Sequence, residues 1–236
     1  MNLPAPRMKN YLVNKSSTRF TVNGTEVQIK DRLSTDFDAK AAILDAFQLL
    51  PRRLYSGLKV INIGQYDFLK DRDLKAIYKN KQIFVTNKQK SPSDLVDDIV
   101  HEIAHMVEEE NDEVIYGDKE VEREFILKRK ELWLKLKNKG YSVSAKDFLN
   151  IHYDESFDMF LYKKIGYPVL SAMSSSLFYS PYSVTSLREY FASGFEAFFM
   201  KEEVYKLKKI SPKLYEKITT LLTEKQDNKI TKGEMT

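Results

Sequence analysis

SPSDLVDDIVHEIAHMVEEE, running from Ser91 to Glu110, is the stretch on which the rest of the chain depends. Ser91 is a helix cap, Pro92 suits the first helical position and Asp94 adds negative charge to the first turn. Leu95, Ile99, Ile103 and Val107 then repeat every four residues, so the segment predicts an amphipathic helix over about 92–110. His101-Glu102-Ile103-Ala104-His105 lies within it. A spacing of i, i+4 puts both imidazoles on one face, one turn apart, and Glu102 beside that face. Two histidines so placed can hold one zinc ion, while the adjacent carboxylate takes a proton from water without occupying a metal position. Short motifs recur by chance, and most helical histidines are surface hydrogen-bond partners. Here two of only three histidines fall at this spacing in a well-capped helix, which favours the metal.

Upstream of this helix the pattern is mixed. Arg19 to Ile29 alternates around Asn23-Gly24, a type I′ turn signal, and predicts a β-hairpin. A helix follows from about Asp38 to Leu50, stopped by Pro51, with Ala41, Ile43, Leu44, Phe47 and Leu50 as its apolar positions. Leu58–Ile63 and Gln82–Asn87 are β-branched runs and hence strands, with a helical turn expected between them at about Asp71–Tyr78. Downstream, a charged helix is expected from Lys119 to Lys137, with Phe125, Leu127, Leu132 and Leu136 inward, and partial helix from Asp147 to Tyr162. The Ser-, Tyr- and Pro-rich stretch from Gly166 to Ser186 reads as irregular. Helices from Ser186 to Val204 and Pro212 to Thr223 close the chain, and residues 226–236 read as a frayed polar tail. Hairpin, helix, two strands and then helices make the class α+β: a small N-terminal sheet followed by a mostly helical part.

Composition removes several functions. A hydrophobic content of 42% places the chain among folded globular proteins. A net charge of +4, with basic and acidic residues interleaved, excludes a nucleic-acid role. There is no cysteine, so thiolate nucleophiles, disulfides and Cys-ligated zinc are excluded, and a metal must take His, Asp or Glu. No stretch reaches the ~18–20 apolar residues that span a bilayer. The first residues, MNLPAPRMKNYLVNKSS, are a polar lead-in without the apolar core of a secretory signal. That leaves a cytoplasmic location, or a secreted one if a leader has been removed.

A catalytic zinc needs a third protein ligand and one open position. An extended histidine motif would require Gly at 108 and His at 111, where Glu108 and Asn111 stand. His152 is a lone histidine in a polar segment, more often structural than ligating. Glu124 follows at a spacing used by some aminopeptidases, within the mostly solvated face of VEREFILKRKELW. Glu189 lies in an aromatic helix, SLREYFASGFEAFFMK, where a buried carboxylate needs a partner that zinc would supply. Ser193 and Glu196 share its helical face and stand where they can support the site from behind.

HEIAHMVEE, EYFASGFEAFF and SPKLYEKITTLL together resemble the C-terminal peptidase domain of anthrax toxin lethal factor and the related Pro-Pro endopeptidases. The resemblance implies a zincin-like catalytic domain of gluzincin type over residues 36–225, preceded by lead-in and hairpin in 1–35. It makes Glu189 the third ligand beside His101 and His105. It also makes Tyr182, seven residues earlier, an active-site phenol, with Tyr179 the local substitute, and matches Pro212 to Tyr215 to a closing helix. Family members carry a second Glu four residues after the ligand. This chain has Ser193 there, whose hydroxyl would hold an imidazole less strongly. The stretch from His105 to Glu189 is longer than in the family and implies a helical insert near 119–165.

The expected function is a zinc-dependent metalloendopeptidase acting on a protein or peptide, with one catalytic Zn2+ and Glu102 as general base. A strand at Gln82–Asn87 would offer its edge to an extended substrate. The alternatives are a peptidase that regulates by cleaving one cytosolic partner, a degenerate peptidase fold acting as a binding module, and an aminopeptidase using Glu124.

Overall fold

The computed structural model describes residues 18–71, 73–200 and 204–230 of the chain. Strands β1 (Thr18–Val22) and β2 (Thr25–Ile29) form the expected hairpin. Asn23 and Gly24 both take positive φ, 48° and 89°, as a type I′ turn requires. Helix α1 (Ala39–Leu49) starts at Asp38, whose carboxylate accepts from the Lys40 and Ala41 N–H groups. It returns the chain to β3 (Val60–Gly64), which pairs parallel with β2.

The next segment departs from expectation. The helical turn forms earlier, as α2 (Asp67–Lys70), and Ala76–Lys79 is a strand, β4. It pairs antiparallel with β5 (Gln82–Thr86) through a turn in which Asn80 and Lys81 take φ of 52° and 61°. Asn tolerates this left-handed conformation, so Asn80-Lys81 closes a second hairpin without the glycine that marks the first. The sheet order is β1-β2-β3-β5-β4, parallel at its centre and antiparallel at both ends. The expected edge strand, β5, is therefore flanked on both sides, and β4 is the edge at that end of the sheet.

Val27, Ile61, Ile63, Ile83 and Val85 point to one face of the sheet and are fully buried there. The 19-residue helix α3 (Pro92–Glu110), capped by Ser91, and α1 pack together beneath this face. Beyond it come α4 (Asp112–Tyr116), α5 (Glu120–Asn138), α6 (Ala145–Leu149) and α7 (Glu155–Phe160), which continues into a π-helical turn at Leu161–Ile165. Tyr167–Ser174 was expected to be irregular and is helix α8, with Pro168 in its first turn, where proline costs no hydrogen bond. Helices α9 (Leu187–Phe199), α10 (Val204–Ile210) and α11 (Pro212–Ile230) complete the described chain. The last runs seven residues past Thr223, and residues 231–236 lie outside the described chain, as does the lead-in before Thr18. No described helix is long and apolar enough to cross a membrane.

Two packing details carry the site. Gly194 of α9 lies against Leu214 of α11 so closely that a Cβ would collide with that side chain. The face of α5 read as solvated is instead the anchor of the following segment. Arg129 is fully buried, donates at 2.6 Å to the carbonyls of both Asp147 and Asn150, and sits among the rings of Phe125, Phe148 and Phe157. Leu127, expected inside, is 64% exposed. A cation with two buried acceptors and an aromatic sleeve thus takes the inward position that a charge pattern assigns to leucine.

Candidate metal centre

The site forms where α3 meets α9. His101 and His105 project from α3 one turn apart, their rings 4.8 Å between centroids and nearly perpendicular. Opposite them, Ser186 caps α9 by accepting from the Glu189 N–H at 3.2 Å. That places Glu189 at the third position of the helix, where a carboxylate commonly folds back on the cap. Here it turns to the histidines instead: Oε2 lies 3.1 Å from His101 Nε2 and Oε1 3.5 Å from His105 Nε2. One donor atom from each of the three residues falls within 4.8 Å of the others.

Further carboxylates surround the imidazoles. Glu196 Oε1 lies 2.9 Å from His101 Nδ1, and Glu108 Oε2 3.6 Å from His105 Nδ1. Glu108 also accepts from the Tyr116 hydroxyl at 2.6 Å, and Arg188 Nε donates to His105 Nδ1 at 3.0 Å. Burial alone would lower both imidazole pKa values, but the hydrogen bonds that His101 donates to Glu189 and Glu196 carry it well above its ordinary value. Burial also opposes the charge of His105, yet Glu108 and Glu189 leave it raised. For Glu189, burial acts upward and the two histidines act more strongly downward, so it stays ionised. The cluster is therefore a buried surplus of carboxylate around two imidazoles, held together by protons. A divalent cation fits this donor set, because it replaces the protons on two imidazole nitrogens, gains the ionised Glu189 as a third ligand and leaves a position open. His101 would keep its Nδ1–H on Glu196 while Nε2 turned to the metal.

Glu102 faces the same space without joining the donor set. It is buried, and its Oε2 accepts the Tyr78 N–H of β4 at 2.5 Å. Burial raises its pKa; His105, His101 and the Tyr78 N–H lower it in part, and the net shift is upward. Tyr182 stands in a short 3-10 turn at Tyr182–Val184 and lines the same cleft. Burial, then the nearby Glu189 charge, pushes its phenol up, so it stays protonated and able to donate. All of these residues line one cleft of about 830 Å³, together with residues of β4 and with Tyr153, Asp158 and Tyr162.

The other sequence candidates lie elsewhere. Ser193, expected to steady a ligating imidazole, bonds Ser180 Oγ at 3.1 Å instead and ties the preceding loop to α9. Glu196, two turns beyond Glu189 on the same face, reaches His101. Glu124 accepts from the Tyr190 hydroxyl at 2.7 Å and from the Lys213 and Leu214 N–H groups at 2.9 and 3.3 Å, and so caps α11. His152 is exposed and outside the donor group. Tyr179 packs against the core, with Lys206 over its ring. The sequence singled out neither Arg188 nor Tyr78. Arg188 was discernible only as the neighbour of Glu189, and Tyr78 acts through its backbone. Scans against protein-family models, curated proteins and solved structures return no match to this chain.

Proposed function

We propose that the chain is a zinc-dependent metalloendopeptidase of the gluzincin type, with His101, His105 and Glu189 as metal ligands. The observation that carries this reading is the convergence of those three side chains from α3 and α9 with a second carboxylate, Glu102, turned into the same cleft. Zinc, when bound, would supply Lewis acidity, making a water easier to deprotonate and the scissile carbonyl easier to attack. Glu102 takes the water's proton and delivers it to the leaving nitrogen. Its raised pKa and single backbone tether suit a group that must both accept and release a proton. Tyr182 donates to the oxygen on which negative charge develops. Glu196 keeps His101 oriented through Nδ1, and Glu108 stands behind Nδ1 of His105. An extended peptide would pair with the free edge of β4, which sets its backbone beside Glu102. The lethal-factor-like resemblance of the three sequence segments points the same way, and the proline preference of that family is not part of the proposal.

The test has two parts. Metal analysis of the purified chain should find about one zinc per molecule, and Glu102→Ala should retain it. That substitution should cut hydrolysis of an end-blocked peptide by about 10²–10⁴. A chain that takes up no zinc even when it is added back refutes the proposal. So does a Glu102→Ala variant of undiminished activity.

A further inference from the structure

From the lining of the cleft we infer a cation-binding subsite for the substrate, built from Asp158 and the tyrosines around it; the inference rests on the peptidase reading above. Asp158 lies in α7, in the segment that Arg129 anchors, and its Oδ2 accepts from the Tyr153 hydroxyl at 3.0 Å. Tyr162 and Tyr167, with ring centroids 5.5 Å apart, line the same cleft as Tyr182, and the charge of Asp158 reaches both Tyr167 and Tyr182. Among the described residues no lysine or arginine pairs with Asp158. The cations that do line the cleft act elsewhere. Arg188 is engaged with His105 and Glu108, and the charge of Lys75 falls on Asp97 and Asp98 at the start of α3. Asp158 is partly buried, and burial, opposed by the Tyr153 hydrogen bond and reinforced by the charge of Glu189, holds its carboxyl above the usual range.

A carboxylate with no counter-ion among the described residues, set among tyrosines that line the same cleft and close to a second negative charge, is a site for an ammonium or guanidinium group. An anionic residue would meet Asp158 and Glu189 together and be repelled, so the cleft discriminates by sign as well as shape. The cation has two sources in a peptide: a Lys or Arg side chain near the scissile bond, or the free N-terminus.

The experiment uses the zinc-loaded full chain and end-blocked peptides carrying Lys or the isosteric norleucine at each of several positions around the cleaved bond. A norleucine peptide with a free N-terminus completes the set. A partly screened ion pair predicts kcat/KM about tenfold higher for Lys at one position, or for the free amine over its blocked form. The ratio should fall toward unity in Asp158→Asn and persist in Asp158→Glu. If the norleucine peptides are cleaved and no cation at any position improves cleavage, the subsite does not exist and the peptidase reading stands. A preference left intact in Asp158→Asn equally overturns the assignment. If nothing is cleaved, the peptidase reading fails. Calorimetric titration of the Lys and norleucine peptides then decides the subsite, and equal binding refutes it.

Discussion

Replacing Glu196 tests how the proposed metal site is supported, because the sequence offers both Ser193 and Glu196 for that task and only Glu196 meets a histidine. Glu196 Oε1 lies 2.9 Å from His101 Nδ1, whereas Ser193 bonds Ser180. A carboxylate behind a ligating imidazole fixes the ring's orientation and raises its basicity, and losing such a partner costs ~10–100-fold in metal affinity. The Glu196 side chain is 26% exposed, so solvent screens part of its charge and the lower half of that range applies. Glu196→Gln keeps an acceptor and removes the charge, which predicts about tenfold weaker zinc binding, or ~1.4 kcal/mol. Glu196→Ala removes both and should approach the upper end. Ser193→Ala should leave affinity within about twofold. Competition against a chromogenic chelator measures all three constants, and melting of the metal-free proteins separates binding from folding. The reasoning is wrong if Ser193→Ala weakens zinc while Glu196→Gln does not.

Lys128 is buried and donates to Ser211 Oγ and the Ile210 carbonyl, and burial, partly offset by Glu124, lowers its pKa to about 8. Between pH 8 and its unfolded value near 10.5 the unfolded chain holds more protons, so stability should rise with pH, by about 3 kcal/mol across the whole window. The rise is cleanest below about pH 10. Above that, Tyr116 and Tyr190, whose pKa values burial and then Glu108 or Glu124 raise, begin to act in the opposite sense. Denaturant unfolding at several pH values should show the slope in the parent chain and a flatter one in Lys128→Met; equal slopes would contradict the assignment. Arg129→Ala should destabilise by about 3–5 kcal/mol, because it strands two buried carbonyls and empties an aromatic sleeve. A loss below ~1 kcal/mol in urea unfolding would mean that the segment from Asp147 to Asn150 holds without it.

What the sequence made legible follows from where the physics is local. Ser91, Pro92 and the four-residue apolar repeat mark α3 at both ends, and Asn23-Gly24 marks the first hairpin, since each signal acts over one or two turns of chain. The edge strand β4 was hidden because Asn80-Lys81 reaches positive φ without glycine and because AIYK is too short to alternate visibly. Its loss also moved the expected substrate edge to β5, which has neighbours on both sides. Ser193 was assigned by its offset from Glu189, but a serine side chain is short and bonds whatever is nearest, here Ser180. Glu196 has the reach to touch His101 across the helix interface. Arg129 shows the same limit: hydropathy ranks it with solvent, and only the arrangement of Phe125, Phe148, Phe157 and two carbonyls brings it inside.

The β4–β5 turn has a consequence for how the protein can change. Successive residues of a strand face opposite ways, so one residue added at Asn80-Lys81 would slide β4 by half its repeat. The Tyr78 N–H would then point at β5 instead of Glu102, and its buried ring would turn to water. The length of the turn is therefore constrained beyond what the β4–β5 hairpin itself requires, because it sets the bearing of the Tyr78 N–H that holds Glu102.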